Sequence, residues 1–158
     1  MCRGGQRSEH PVHAGPGKCY VGCAKFDNGV LIYAQTVKSK LPWPQGAVEV
    51  ANKLRAFGPV DEFIFEFPVV YPGTTRAPND LLPMCYADGL ITAALSPRAI
   101  RAVQPAEWKG NIDPEIVINR VKAALTSAED AVLKSRDHNT YDAIGIGLWS
   151  LKRIKTGR

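Results

Sequence analysis

Apolar and polar positions alternate with a period of two along residues 18–26, where Cys19, Val21 and Cys23 share one strand face and Tyr20, Gly22, Ala24 and Phe26 the other. A second apolar run, residues 30–37, follows at once. Between them stands Asp27-Asn28-Gly29, and Asn-Gly suits a type I′ turn because both central residues need positive φ. An antiparallel hairpin is therefore predicted over residues 18–37. The period then changes: Ala47, Val50, Ala51, Leu54 and Phe57 recur at helical spacing, and Gly58-Pro59 ends that helix.

Residues 62–70, Glu-Phe-Ile-Phe-Glu-Phe-Pro-Val-Val, are aromatic and β-branched on both faces, as expected of a central parallel strand covered by helices on each side. A loop from Pro72 to Pro78 leads to a helix opened by Asn79 or Asp80, with Leu82, Cys85, Tyr86, Gly89, Leu90 and Ala93 on its apolar stripe and Pro83 in its first turn. A short strand at residues 99–103 and a loop at 104–110 come next. Asp113-Pro114 reads as N-cap and first residue of a helix to about Leu125, and Ser127 with Asp130 resembles a capping box. The last helix is predicted from just after Asp137 to about Lys155. Strand, strand, helix, strand, helix, strand and helices make an α/β layered domain.

The 158 residues, 45% hydrophobic and 22% charged, suit one globular domain, with residues 1–11 expected to be a poorly ordered extension. No apolar run approaches the length that crosses a bilayer, and residues 1–17 lack the apolar centre of a secretory signal, so a cytoplasmic protein is expected. Cys2, Cys19, Cys23 and Cys85 form no CxxC pair, which argues for buried thiols over a metal site or disulfides. A net charge of +5 favours polyanionic partners. The basic tail holding Lys152 and Arg153 suits phosphate, or is simply a solvated helix end. No GxGxxG, GxxxxGK[ST] or GxSxG motif is present, so a nucleotide cofactor or a small-molecule α/β enzyme lacks support.

Two segments break the pattern. Glu66 interrupts an aromatic strand, where a carboxylate loses hydration unless a cation or donors meet it; either the strand ends there at the sheet rim, or Glu66 lies at the ligand-collecting carboxyl edge of a parallel strand. On the last helix, His138 and Asn139 stand four and three residues before Asp142, so the three can project from neighbouring turns towards one point. Ile144, Gly145, Gly147 and Leu148 give the same helix a small, apolar surface for close docking on a sheet.

The segment from Phe63 to Pro72, the helix start Pro78-Asn-Asp-Leu-Leu82, Pro105-Ala-Glu-Trp-Lys-Gly110 and the run from His138 to Trp149 together resemble the RuvC-type Holliday junction resolvases, in particular their small phage-associated branch within the RNase H-like superfamily. The resemblance spans about residues 13–150. It implies an RNase H-like fold, a five-stranded mixed sheet flanked by helices, and a homodimer acting on branched DNA in a bacterial or phage-infected cytoplasm. It also implies Mg²⁺ or Mn²⁺ held by carboxylates at the ends of the first and fourth strands and by the last helix. Glu66 matches the fourth-strand glutamate, Asp142 the helix aspartate, and Asn139 or His138 the remaining helix position. Arg76, Trp108 and Lys109 join Lys152 and Arg153 as candidate nucleic-acid contacts, with a partly buried loop anchor the alternative for Trp108-Lys109.

The chain departs from the family at the first strand. The family's Asp-Pro-Gly is here Gly15-Pro16-Gly17, and Asp27 lies at the far end of the next strand, roughly 30 Å away at 3.3 Å per residue. With Gly15 in the place of a bridging carboxylate, the expectation is a structure-selective nuclease with impaired cutting, or an inactive relative that binds branched DNA without cutting it.

Overall fold

In a computed structural model, residues 19–67, 69, 81–110 and 112–155 are described. Strand β1 (Tyr20–Asp27) pairs antiparallel with β2 (Val30–Lys38) through a turn in which Asn28 and Gly29 both take positive φ. Helix α1 (Gln45–Leu54) tightens into a 3₁₀ turn over Arg55–Phe57 before Gly58. Strand β3 (Glu62–Glu66) is parallel to β4 (Ala99–Val103), with helix α2 (Leu82–Leu95) between them in sequence. Helices α3 (Pro105–Trp108), α4 (Pro114–Ala124), α5 (Ser127–Ala131) and α6 (His138–Ser150) complete the order.

The fold is mixed α/β, and apolar side chains leave the strands in two directions. Val21, Val37 and Phe63 pack with α1 and α2 around Val50, Leu54, Ile91 and Leu95. Ala24, Phe26, Leu31 and Ile64 pack with α4 and α6 around Val117, Val121, Ile144 and Leu148. Strand β3 thus has helices on both faces, as its two-sided apolar pattern requires. The described residues form two two-stranded sheets; the five-stranded sheet expected from the sequence is not among them. A cavity of about 510 Å³ lies between these sheets, lined by Cys23–Asp27 of β1, Glu62–Ile64 of β3, Leu54 and Phe57 on one side and Ala143, Ile146 and Gly147 on the other.

Several boundaries differ from the sequence reading. Strand β3 ends at Glu66, the last residue in register with β4, and Pro68 and Val70 of the expected strand lie outside the described residues. Helix α2 buries Ala87, Asp88, Ile91 and Leu95, whereas Leu82, Cys85, Tyr86, Gly89 and Ala93 of the expected stripe are exposed. This helix is apolar nearly all round, so period alone does not select its docking face. Cys19 and Cys23 are half-buried, and burial pushes both thiols up; Cys85 is exposed instead of buried, and Cys2 lies outside the described residues.

The capping box before α5 is Thr126 with Glu129, one residue earlier than Ser127 with Asp130. Glu129, 2% exposed, accepts from Leu31 N (3.0 Å), Thr126 N (3.0 Å) and both Arg153 guanidinium nitrogens (2.6 and 2.7 Å). Arg153 also donates to the carbonyls of Gly29 (3.1 Å) and Ala124 (2.8 Å). One ion pair therefore ties the hairpin turn, the end of α4, α5 and the C-terminal segment together. It also fixes the end of α6 at Ser150 rather than about Lys155: Lys152 turns the chain with φ 59° and Arg153 is pulled back onto Glu129.

Candidate functional site

Glu66 closes β3, and Phe67 N donates to Val103 O (2.8 Å), holding the ends of both parallel strands level. The chain leaving β4 turns at once into α3, where the Gln104 backbone N–H donates to the Glu107 carboxylate (2.7 Å) in a capping box. This short helix carries Trp108 and Lys109 back over the carboxyl edge of the two strands. Trp108 is 1% exposed, and its Nε1 donates to Glu66 Oε2 at 2.9 Å. A Cβ at Gly145 would lie 2.6 Å from the Trp108 ring, so this glycine on α6 makes room for the indole.

Asp142 stands one turn before Gly145 on α6 and is 8% exposed, as is Glu66. Lys109 joins them: its Nζ lies 3.3 Å from Glu66 Oε2 and 3.7 Å from Asp142 Oδ2. The same ammonium is 5.0 Å from the centre of the Trp108 ring, a cation–π distance. Two buried carboxylates, 76 positions apart in sequence, thus converge on Lys109.

The first turn of α6 is anchored on β2. Asp137 caps it by accepting from Thr140 N (3.1 Å), and the Thr36 and Thr140 hydroxyls also donate to Asp137 Oδ1. Burial alone would raise the Asp137 carboxyl, but the hydrogen bonds from Thr36 and Thr140, with Lys38 nearby, hold it below its ordinary value. Asn139, 6% exposed, lies where β1 passes close to α6: a Cβ at Gly22 would be 2.0 Å from the Asn139 carbonyl oxygen. The Asn139 side-chain oxygen Oδ1 is buried without a hydrogen-bond partner. Three residues before Asp142, Asn139 shares its side of the helix.

The structure thus brings Glu66, Asp142 and Lys109 together, with Asn139 on the adjoining turn, and leaves His138 exposed at the first residue of α6. Trp108 is a buried anchor, its ring closed to a stacking base. Arg153 is engaged with Glu129, whereas Lys152 is exposed. Gly15 and Arg76 lie outside the described residues. Among the described residues no three His, Cys, Asp or Glu side chains gather as a metal cluster, and no helix is long and apolar enough to cross a membrane.

For a hard divalent cation, the Glu66 and Asp142 carboxylates offer oxygen ligands of the kind Mg²⁺ and Mn²⁺ accept, and the buried Asn139 amide oxygen, three residues before Asp142 on α6, could add a third. Such a set fits one cation better than two. The role of Lys109 as the charge between the carboxylates was not read from the sequence. Its signal there is Trp108-Lys109 in the loop that follows the short strand at residues 99–103. No family model matches the chain, and no curated protein matches it.

Proposed function

We propose that this protein is a metal-dependent, structure-selective DNA endonuclease of the RuvC type, acting on four-way or other branched junctions as a homodimer. The observation that carries this reading is the convergence of Glu66 and Asp142 on one cationic position at the carboxyl edge of parallel strands, where α/β sheets collect ligands. Mg²⁺ or Mn²⁺ bound there would polarise a phosphoryl oxygen and lower the pKa of a bound water. Glu66 and Asp142 would hold the ion and Asn139 would add a neutral oxygen, while Trp108 orients Glu66 through its Nε1 hydrogen bond. The positive charge of the chain favours the phosphate backbone, so junction binding should weaken steeply with salt.

An RNase H-like five-stranded sheet belongs to the same proposal. The cavity between β1 and β3 has strand edges on two sides and helices on the other two, which suits one more strand. In sequence order, Gly15 of Gly15-Pro16-Gly17 stands where the family has an aspartate.

Gly15 also favours a second reading, a relative that binds branched DNA without cutting it. Cleavage of an end-labelled four-way junction in Mg²⁺ or Mn²⁺ at saturating binding separates the two. The nuclease reading expects weak cutting that Gly15→Asp raises by orders of magnitude at unchanged junction affinity. Binding with no cutting by either protein would leave the non-cutting reading.

A further inference from the structure

We infer that Lys109 is the resident counter-ion of the Glu66–Asp142 pair, which a divalent cation must displace, so that this lysine sets the metal affinity of the site. The inference rests on reading the carboxylate pair as a cation site and goes beyond it in naming what occupies that site before the metal.

The geometry carries it. Lys109 Nζ is within ion-pair distance of both carboxylates, at 3.3 Å from Glu66 and 3.7 Å from Asp142. A divalent ion of the Mg²⁺ or Mn²⁺ class binds oxygen at about 2.0–2.2 Å, so ion and ammonium cannot both sit between the same two oxygens. The carboxylates are buried and lose much of their hydration, which favours a cation between them in the metal-free protein. A lysine suits a displaceable charge. Its ammonium is a compact point charge on a flexible four-carbon stem, unlike a guanidinium that grips a carboxylate through a fixed fork. The Trp108 ring, 5.0 Å from Nζ, gives this ammonium a second resting contact on the same loop.

The test is calorimetric titration of Mn²⁺ into the DNA-free protein, so it needs no cleavage. Lys109→Met keeps the length of the stem and removes the charge; it should bind Mn²⁺ about tenfold or more tightly than the wild type. Lys109→Arg keeps the charge in a more tenacious form and should bind Mn²⁺ more weakly than the wild type. If Lys109→Met folds only when Mn²⁺ is present, that too supports a counter-ion role, and Lys109→Arg still supplies the affinity comparison. Equal affinities in all three proteins, with binding still lost in Asp142→Asn, would overturn the role of Lys109 while leaving the cation site intact. Affinities indifferent to Asp142→Asn as well would remove the cation-site reading itself.

Discussion

Among the described residues, the Glu129–Arg153 pair and the Glu66–Asp142–Lys109 group both set buried carboxylates against a cation, and the two differ in how the charges are shared. Glu129 takes the whole Arg153 guanidinium through two nitrogens and adds the backbone N–H groups of Leu31 and Thr126. Glu66 and Asp142 instead face the same lysine ammonium, at longer distances. The first arrangement uses a planar fork and fixed donors to lock four segments in place. The second places one lysine ammonium within ion-pair distance of two carboxylates from different elements, β3 and α6. A buried ion pair with dedicated partners builds the fold; two carboxylates facing one lysine suit the cation exchange proposed above.

The largest effect should come from the lock. Arg153→Met leaves Glu129 buried without its cation and should cost about 3–5 kcal/mol in urea denaturation, with Mn²⁺ affinity of the folded protein unchanged. Arg153 holds the Glu129 carboxyl far below its ordinary pKa, with the Leu31 and Thr126 hydrogen bonds adding to it. A depressed folded-state pKa means that the stabilisation is complete above the ordinary carboxylate value of about 4.3 and is lost as pH falls towards the folded value. The gap between wild type and Arg153→Met should therefore narrow in acid.

A smaller effect, but one that joins the two regions, is expected at Gly22. An alanine Cβ there would meet backbone atoms of Asn139 at 2.0 and 2.4 Å, so β1 and the start of α6 must separate. Gly22→Ala should cost about 1–3 kcal/mol and weaken Mn²⁺ binding as well, since Asn139 and Asp142 ride on the displaced turn. A stability loss with unchanged Mn²⁺ affinity would place the ion away from α6.

The local parts of this fold were legible in the chain. Asn28-Gly29 marked the hairpin because its φ values demand those residues, and Asp113 and Asp137 cap α4 and α6 where their short acceptor side chains indicated. The misread features depend on distant partners. Thr126 with Glu129 and Ser127 with Asp130 both fit a capping pattern, and Leu31 N and Arg153 decide between them. The same pair ends α6 early, and α2 is too uniformly apolar for its pattern to choose a face. At the site, Glu66 and Asp142 stood out as charges inside apolar runs. Lys109 did not, because a lysine in a loop carries no periodicity; only the parallel register of β3 and β4 brings it to Glu66.

The central claim, that Glu66 and Asp142 form a working cation site, is tested most directly in the Gly15→Asp background by adding Asp142→Asn. Single-turnover cleavage of a four-way junction in Mn²⁺ would be measured at saturating binding, alongside stability in urea. The predicted result is a cleavage rate lower by a factor on the order of 10³, the loss of several kcal/mol of transition-state stabilisation, with junction affinity and stability nearly unchanged. Cleavage by the double variant at the rate of Gly15→Asp alone would contradict the account.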